Sequence, residues 1–343
     1  MQQHNLRFIS KLIIAAITLF LVMAVSCCLG SSDIAFTTLL EMLMGKTSDI
    51  PSTTITIITR LRIPRVLTAA LIGGALASIG AVMQGLFKNP MADPSVLGIS
   101  SGAALGAAIA IVVGLNGVII GAFTGAYIGA VIGALFTWFF IITIAKSSGE
   151  YDTSSTLLAG IATSSLMSAL ITVIMTLNLQ KMERIYMWML GTFSASTVSK
   201  TIILAIVVLI GIVALLVFAP AIDVLKLGKE AAETLGVKLG KTLAILMTIS
   251  SVILAFCVAN AGIIGFVGLI IPHIVSFFKV YKMRSKIIMC CLVGAIFTVI
   301  CDTICKTVIA PGELPIGAVT SLIGAPYFLF LLLKARRQKG GAL

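Results

Sequence analysis

Of the 343 residues, 59% are apolar and 10% charged, and the mean hydropathy of +1.17 lies far above the range of soluble domains. Such a chain is an integral membrane protein, and its +12 net charge belongs to loops facing anionic headgroups, not to nucleic acid. Two histidines, and seven cysteines set mostly inside apolar runs, argue against a disulfide framework, a metal or haem site and a membrane-embedded enzyme.

Apolar runs of roughly 17–25 residues predict ten spans, near 11–30, 64–86, 95–114, 117–145, 156–178, 201–220, 242–259, 262–279, 287–305 and 314–334. The fold class expected is therefore an all-α integral membrane protein, a ten-span transmembrane helical bundle with broken helices. The first run ends at Cys27-Cys28-Leu29-Gly30 without a small-x-small cleavage site and is kept as a span. An even count puts both termini on one side. Loops on that side hold sixteen Lys and Arg and the opposite loops eight, so the termini are expected in the cytoplasm. Residues 1–10 and 335–343 are then short cytoplasmic ends around one membrane domain, 11–334.

Arg60, Arg62 and Arg65 cluster in RLRIPR at the mouth of the second span, where the positive-inside rule disfavours cations. The cluster invites an acidic partner, unless it snorkels to headgroups. Residues 84–98, QGLFKNPMADPSVLG, predict a rigid corner, with Asp93 or Ser95 capping the next helix and Pro94 in its first turn. Gly98, Gly102 and Gly106, then Gly121, Gly125, Gly129 and Gly133, step by four and form two flat rails for close helix packing.

In the fifth span Ser164, Ser168, Thr172 and Thr176 share one face, with Thr153 and Ser154 at its entrance. Such hydroxyls either line a wet path or bond back to the carbonyl four residues earlier. The following QKMERIYMWMLGTFS reads as an interfacial helix. Residues 223–241, DVLKLGKEAAETLGVKLGK, carry four lysines, two glutamates and an aspartate, and so must sit in water. Within them KEAAETL predicts a short helix closed by Gly236. GVKLGKT from Gly236 is one residue short of a phosphate loop and follows no strand, so it carries no nucleotide site.

Two late segments, ANAGIIGFVGLIIPHIVSF and APGELPIGAVTSLIGAPYF, are glycine-rich and proline-broken, which assigns them to the interior or a cavity. His273 beside Pro272 reads as a helix-end residue. Asp302 and Glu313 lie at outer span ends with Lys306 between them, and local pairing is expected.

The segments RLRIPRVLTAALIGGALASIGAVMQGLFKNPMADPSVLGISSGAALG, LGKEAAETLGV, AGIIGFVGLIIPHIV and ELPIGAVTSLIGAPYFLFLL resemble, in order and spacing, the FecCD permeases of bacterial ABC importers for iron-siderophores, haem and cobalamin. The resemblance runs from about residue 55 to 334. It implies an inner-membrane, multi-pass subunit that pairs with a second permease copy. Beneath it would sit ATP-binding-cassette ATPase subunits that hold the ATP and Mg; a periplasmic or lipoprotein substrate-binding protein would dock above. The chain itself would be no enzyme and bind no cofactor. By the same resemblance Leu227, Gly228, Glu230, Ala231, Leu235 and Gly236 contact the ATPase, and Arg62, Arg65 and Lys306 meet glutamates of the binding protein. Thr153 and Ser154 match the gate, with Ser164, Ser168 and Thr172 along the pathway. Lys306 stands where arginine is commoner, and Ser276 where an arginine often follows the Pro-His. Siderophore-bound iron is the default cargo, with haem or cobalamin as alternatives. The rival class, a stand-alone ion-coupled secondary transporter, would want an ionisable residue at the midplane of a broken helix, and no span offers a clear one.

Overall fold

A computed structural model describes residues 2–30, 34–46, 50–93, 98–115, 118–121, 123–147 and 153–340. The helix after the 84–98 corner begins at Ile99 with Gly98, at φ +76°, as its N-cap, so the cap expected at Asp93 or Ser95 and the first-turn place expected for Pro94 are not what the chain uses; Pro94 and Ser95 themselves lie outside the described residues. The described residues form fourteen α-helices: α1 (Gln2–Cys28), α2 (Phe36–Leu43), α3 (Ser52–Thr56), α4 (Ile63–Leu86), α5 (Ile99–Val113), α6 (Gly125–Ser147), α7 (Thr153–Leu177), α8 (Leu179–Leu190), α9 (Val198–Leu225), α10 (Lys229–Thr234), α11 (Leu239–Ala261), α12 (Val267–Ser276), α13 (Met283–Thr307) and α14 (Ile316–Gly340). A π-helical turn, Ile57–Arg62, leads into α4. Seven of the helical segments are long and apolar enough to cross a membrane, and α5, α12 and the Ile316–Phe330 part of α14 are shorter apolar helices. The protein is thus an all-α membrane bundle, with one small hairpin pairing Ile119–Ile120 and Phe123–Thr124.

The centre of the bundle is α4, which packs on α13, α9, α12, α11 and α1. Its enclosure follows from its small residues. A Cβ on Gly73 would strike the carbonyl of Gly294 in α13, and one on Gly80 the carbonyl of Gly268 in α12, so neighbouring backbones lie against it directly. The glycine rails meet in the same way: Gly102 and Gly106 of α5 face Gly133 and Gly129 of α6, carbonyl against Cα. Gly121 departs from its rail. It occupies the hairpin turn at φ +63°, because the chain must reverse before α6 begins.

In α9 the buried positions Thr201, Leu204, Val208, Gly211, Leu215, Ala219, Ile222 and Leu225 recur every three to four residues, while Ile202, Ile206, Leu209, Val213 and Val217 face outward. Pro220 lies inside this helix and cannot donate to the carbonyl of Leu216. Arg284 at the start of α13 donates to it instead, at 3.1 Å.

The first of the two segments expected to be proline-broken is interrupted at its glycine stretch instead, and Pro272 lies inside α12. Residues 262–266 are non-helical, with Phe266 at φ +66°, and α12 follows for ten residues. Pro326 likewise sits within a continuous α14, and the break in that segment comes earlier, at Pro311 to Pro315. Helix α1 begins at Gln2 and α14 ends at Gly340, so the terminal segments continue the outer spans as helix.

Candidate functional site

One end of the bundle gathers the ends of α1 and α13 with the starts of α4 and α14, and with them the predicted docking cations. Arg62 is buried, and its Nη1 donates to the carbonyls of Cys27 and Cys28 at 2.7 Å each. Lys306 is buried as well and donates to the Ser26 carbonyl at 2.5 Å and its hydroxyl at 3.0 Å. The two cations therefore close the last turn of α1, where unpaired carbonyls and the negative end of the helix dipole favour positive charge. Arg65 is held differently. Its Nε and Nη2 form a fork on Asp302 at 2.8–3.0 Å, and its Nη1 donates to Glu313 at 2.6 Å. The pairing expected around Lys306 is replaced by a distant one: Asp302 and Glu313 are both held by Arg65 of α4, while Lys306 turns to Ser26. Arg60 is exposed.

Two clefts open beside this cluster. One, of about 310 Å³, is lined by Arg62, Arg65, Lys306, Ser194, Gly30 and Glu313. The other, of about 410 Å³, is lined by Arg184, Trp188, Thr192, Ser194, Glu313 and Pro315. Glu313 and Ser194 stand in the wall between them. The segment following Glu313 is fixed by two backbone bonds, Leu314 N–H to Cys305 and Ile316 N–H to Gly191.

At the opposite end, the 223–241 loop folds as its glycines require. The six-residue α10 closes in a Schellman turn: the N–H of Gly236, at φ +80°, bonds to Glu233 and that of Val237 to Ala232, both at 2.9 Å. Ala232 is fully buried against the bundle, so the side chains on the far face are presented outward. Leu227 and Leu235 are 68% and 61% exposed, and Glu230, Ala231 and Gly236 are exposed with them; Gly228 is half-buried. Asp223 anchors the loop by accepting from the Met283 N–H at 3.0 Å and from Lys226 at 2.7 Å. A helix precedes GVKLGKT, so the phosphate-loop geometry is absent there.

The hydroxyls of α7 do not form one continuous face within the chain. Ser164 is half-buried and turns its hydroxyl inward against Gly98, where it has no hydrogen-bond partner among the described residues, whereas Ser168, Thr172 and Thr176 are exposed. Thr172 donates to the Ser168 carbonyl at 3.0 Å and Thr176 to the Thr172 carbonyl at 2.9 Å, the back-bonded arrangement. Thr153 and Ser154 begin α7 by backbone, and their side chains lie outside the described residues. His273 has its ring edge-on to Phe277 and Tyr327, at 5.3 and 6.3 Å. Ser276 bonds back to the Pro272 carbonyl at 2.8 Å. Among the described residues no group of histidine, cysteine or carboxylate side chains could hold a metal.

The FecCD transport family profile matches residues 17–334. The cobalamin import system permease protein BtuC of Halobacterium salinarum is 38% identical over 82% of this chain and 75% of its own length. The hemin transport system permease protein HmuU of Yersinia pestis is 34% identical over 82% and 84%. The Fe(3+) dicitrate transport system permease protein FecC of Escherichia coli is 31% identical over 85% and 86%. A solved metal-chelate type ABC transporter in an inward-facing conformation superposes with a TM-score of 0.82 at 28% identity, covering 94% of this chain and 98% of that one.

Proposed function

Since this chain belongs to the FecCD transport family and is a permease subunit of an ABC importer, we propose that it passes a metal chelate across the membrane between a docked binding protein and a separate ATPase. Ferric siderophore is the cargo we put first, with haem and cobalamin as the alternatives. The observation that carries the reading is the α10 loop, a water-demanding segment whose cap fixes it rigidly while two leucines stay exposed. Apolar side chains displayed on a short, locked helix fit a protein groove better than water.

In this reading the partner ATPase holds ATP and Mg, grips Leu227, Gly228, Glu230, Ala231, Leu235 and Gly236, and transmits its closure through α9 and α11, which flank the loop. A second copy of the permease completes the pathway, to which the exposed Ser168 and Thr172 contribute and which Thr153 and Ser154 gate. Arg62, Arg65 and Lys306 form the docking end, and both termini are cytoplasmic. No catalytic step falls to this chain.

The test is reconstitution of the permease with the ATPase encoded beside it. Radiolabelled ferric siderophore, haemin and cobalamin are each offered on the matching binding protein. ATP-dependent uptake of one of the three is expected. Uptake by the permease alone under an ion gradient would instead make it a secondary transporter.

A further inference from the structure

Building on the docking reading, we propose that Glu313 is an internal stand-in for the partner's carboxylate: it occupies Arg65 while the permease is undocked, yields it to an incoming acidic side chain, and turns to Arg184. The three cations of this end are not equivalent. Arg62 and Lys306 donate to the terminal carbonyls of α1, and withdrawing them would open that helix end. Arg65 is held by two carboxylates, and these differ. Asp302 is 1% exposed and takes the Nε and Nη2 fork, whereas the Glu313 side chain is 35% exposed and takes one N–H, on Nη1. An exposed single contact exchanges readily with a competing carboxylate, and a buried fork does not.

The second half of the exchange has its place ready. Glu313 lines both clefts, and Arg184 lines the one it would turn into. Arg184 is exposed and makes no ion pair among the described residues. Departure of Glu313 raises the net charge of the cluster by one. The attraction felt by an acidic partner is therefore muted until contact and full once Glu313 has moved. Because residues 313–317 tie α14 to the ends of α8 and α11, the exchange also reports docking to these helices.

The experiment uses the assembled permease–ATPase complex in nanodiscs and the purified, chelate-loaded binding protein encoded beside it. Glu313→Gln is expected to raise the association rate constant about three- to tenfold at low salt and to tighten the complex. Arg184→Ala is expected to weaken docking about threefold in the native background and to have no effect beside Glu313→Gln. An unchanged or slower association in Glu313→Gln, or an Arg184→Ala effect of equal size in both backgrounds, overturns the exchange. The paired variant Arg65→Gln with Asp302→Asn removes a buried ion pair from both sides and spares the fold an orphaned charge. If it binds like the native complex, or if the native complex does not bind at all, the docking reading itself fails. If it loses binding while Glu313→Gln changes nothing, docking stands and only the exchange is lost.

Discussion

Replacing Gly106 with alanine tests the glycine seam between α5 and α6 at its tightest point. The new Cβ would overlap the Gly129 carbonyl oxygen and lie 2.8 Å from its carbon and 3.1 Å from the Gly133 Cα, all backbone atoms that cannot rotate aside. The helices must part by about 1 Å, and overpacking of this kind costs about 1–3 kcal/mol, to which the loosened neighbouring contacts add. Alanine's better helix propensity returns about 1 kcal/mol. A net loss of about 1–2 kcal/mol is expected, roughly a 5- to 30-fold shift in the unfolding equilibrium. It would be read by reversible unfolding in mixed detergent micelles. Gly265→Ala is the control: its Cβ meets nothing within 4 Å, and a change under about 0.5 kcal/mol is expected. A Gly106→Ala protein as stable as the native one, or a control equally damaged, would refute the reasoning.

Leu227→Asp with Leu235→Asp should cut co-purification of the ATPase at least tenfold and leave the chain's own stability within about 0.5 kcal/mol, since both side chains are exposed; retained ATPase rejects the coupling surface. Arg62→Ala strips donors from the Cys27 and Cys28 carbonyls and should destabilise by about 2–4 kcal/mol, measured by the same unfolding assay, with Arg62→Lys recovering part of the loss. Thr172→Val removes a hydroxyl bonded only to its own helix, so stability should move by under about 0.5 kcal/mol. Uptake slowed several-fold by that variant supports a wet path, and unchanged uptake removes Thr172 from it. Lys238→Cys in a variant freed of native cysteines should react with an impermeant maleimide only from the cytoplasmic side, and labelling of intact cells would invert the topology.

The helices were legible wherever one segment carried its own explanation. Apolar length located the apolar helices, seven of them long enough to cross a membrane, the four-residue glycine step located the seam, and KEAAETL followed by glycine gave α10 with its cap. Contacts across distant segments were not legible. Nothing in RLRIPR says that Arg62 closes a helix ending at residue 28, nor that Arg65 takes Asp302 and Glu313 from more than two hundred residues away. The Ser/Thr stripe was read as one face because spacing alone cannot show that Ser164 turns to α5 while Thr172 faces outward. Pro326 looked like a breaker, yet α14 runs through it, as membrane helices tolerate proline when neighbours or waters take up the freed carbonyl.

The enclosure of α4 by its own chain bears on how the protein is made. Its innermost glycines, Gly73 and Gly74, lie against α13, and so they wait through the synthesis of some two hundred further residues before their natural neighbour leaves the ribosome. Until then the future centre of the subunit faces lipid or an insertion chaperone. A nascent chain that stalls before residue 283 therefore holds every hydrophobic segment needed to enter the bilayer up to that point, yet lacks the piece that shuts its heart.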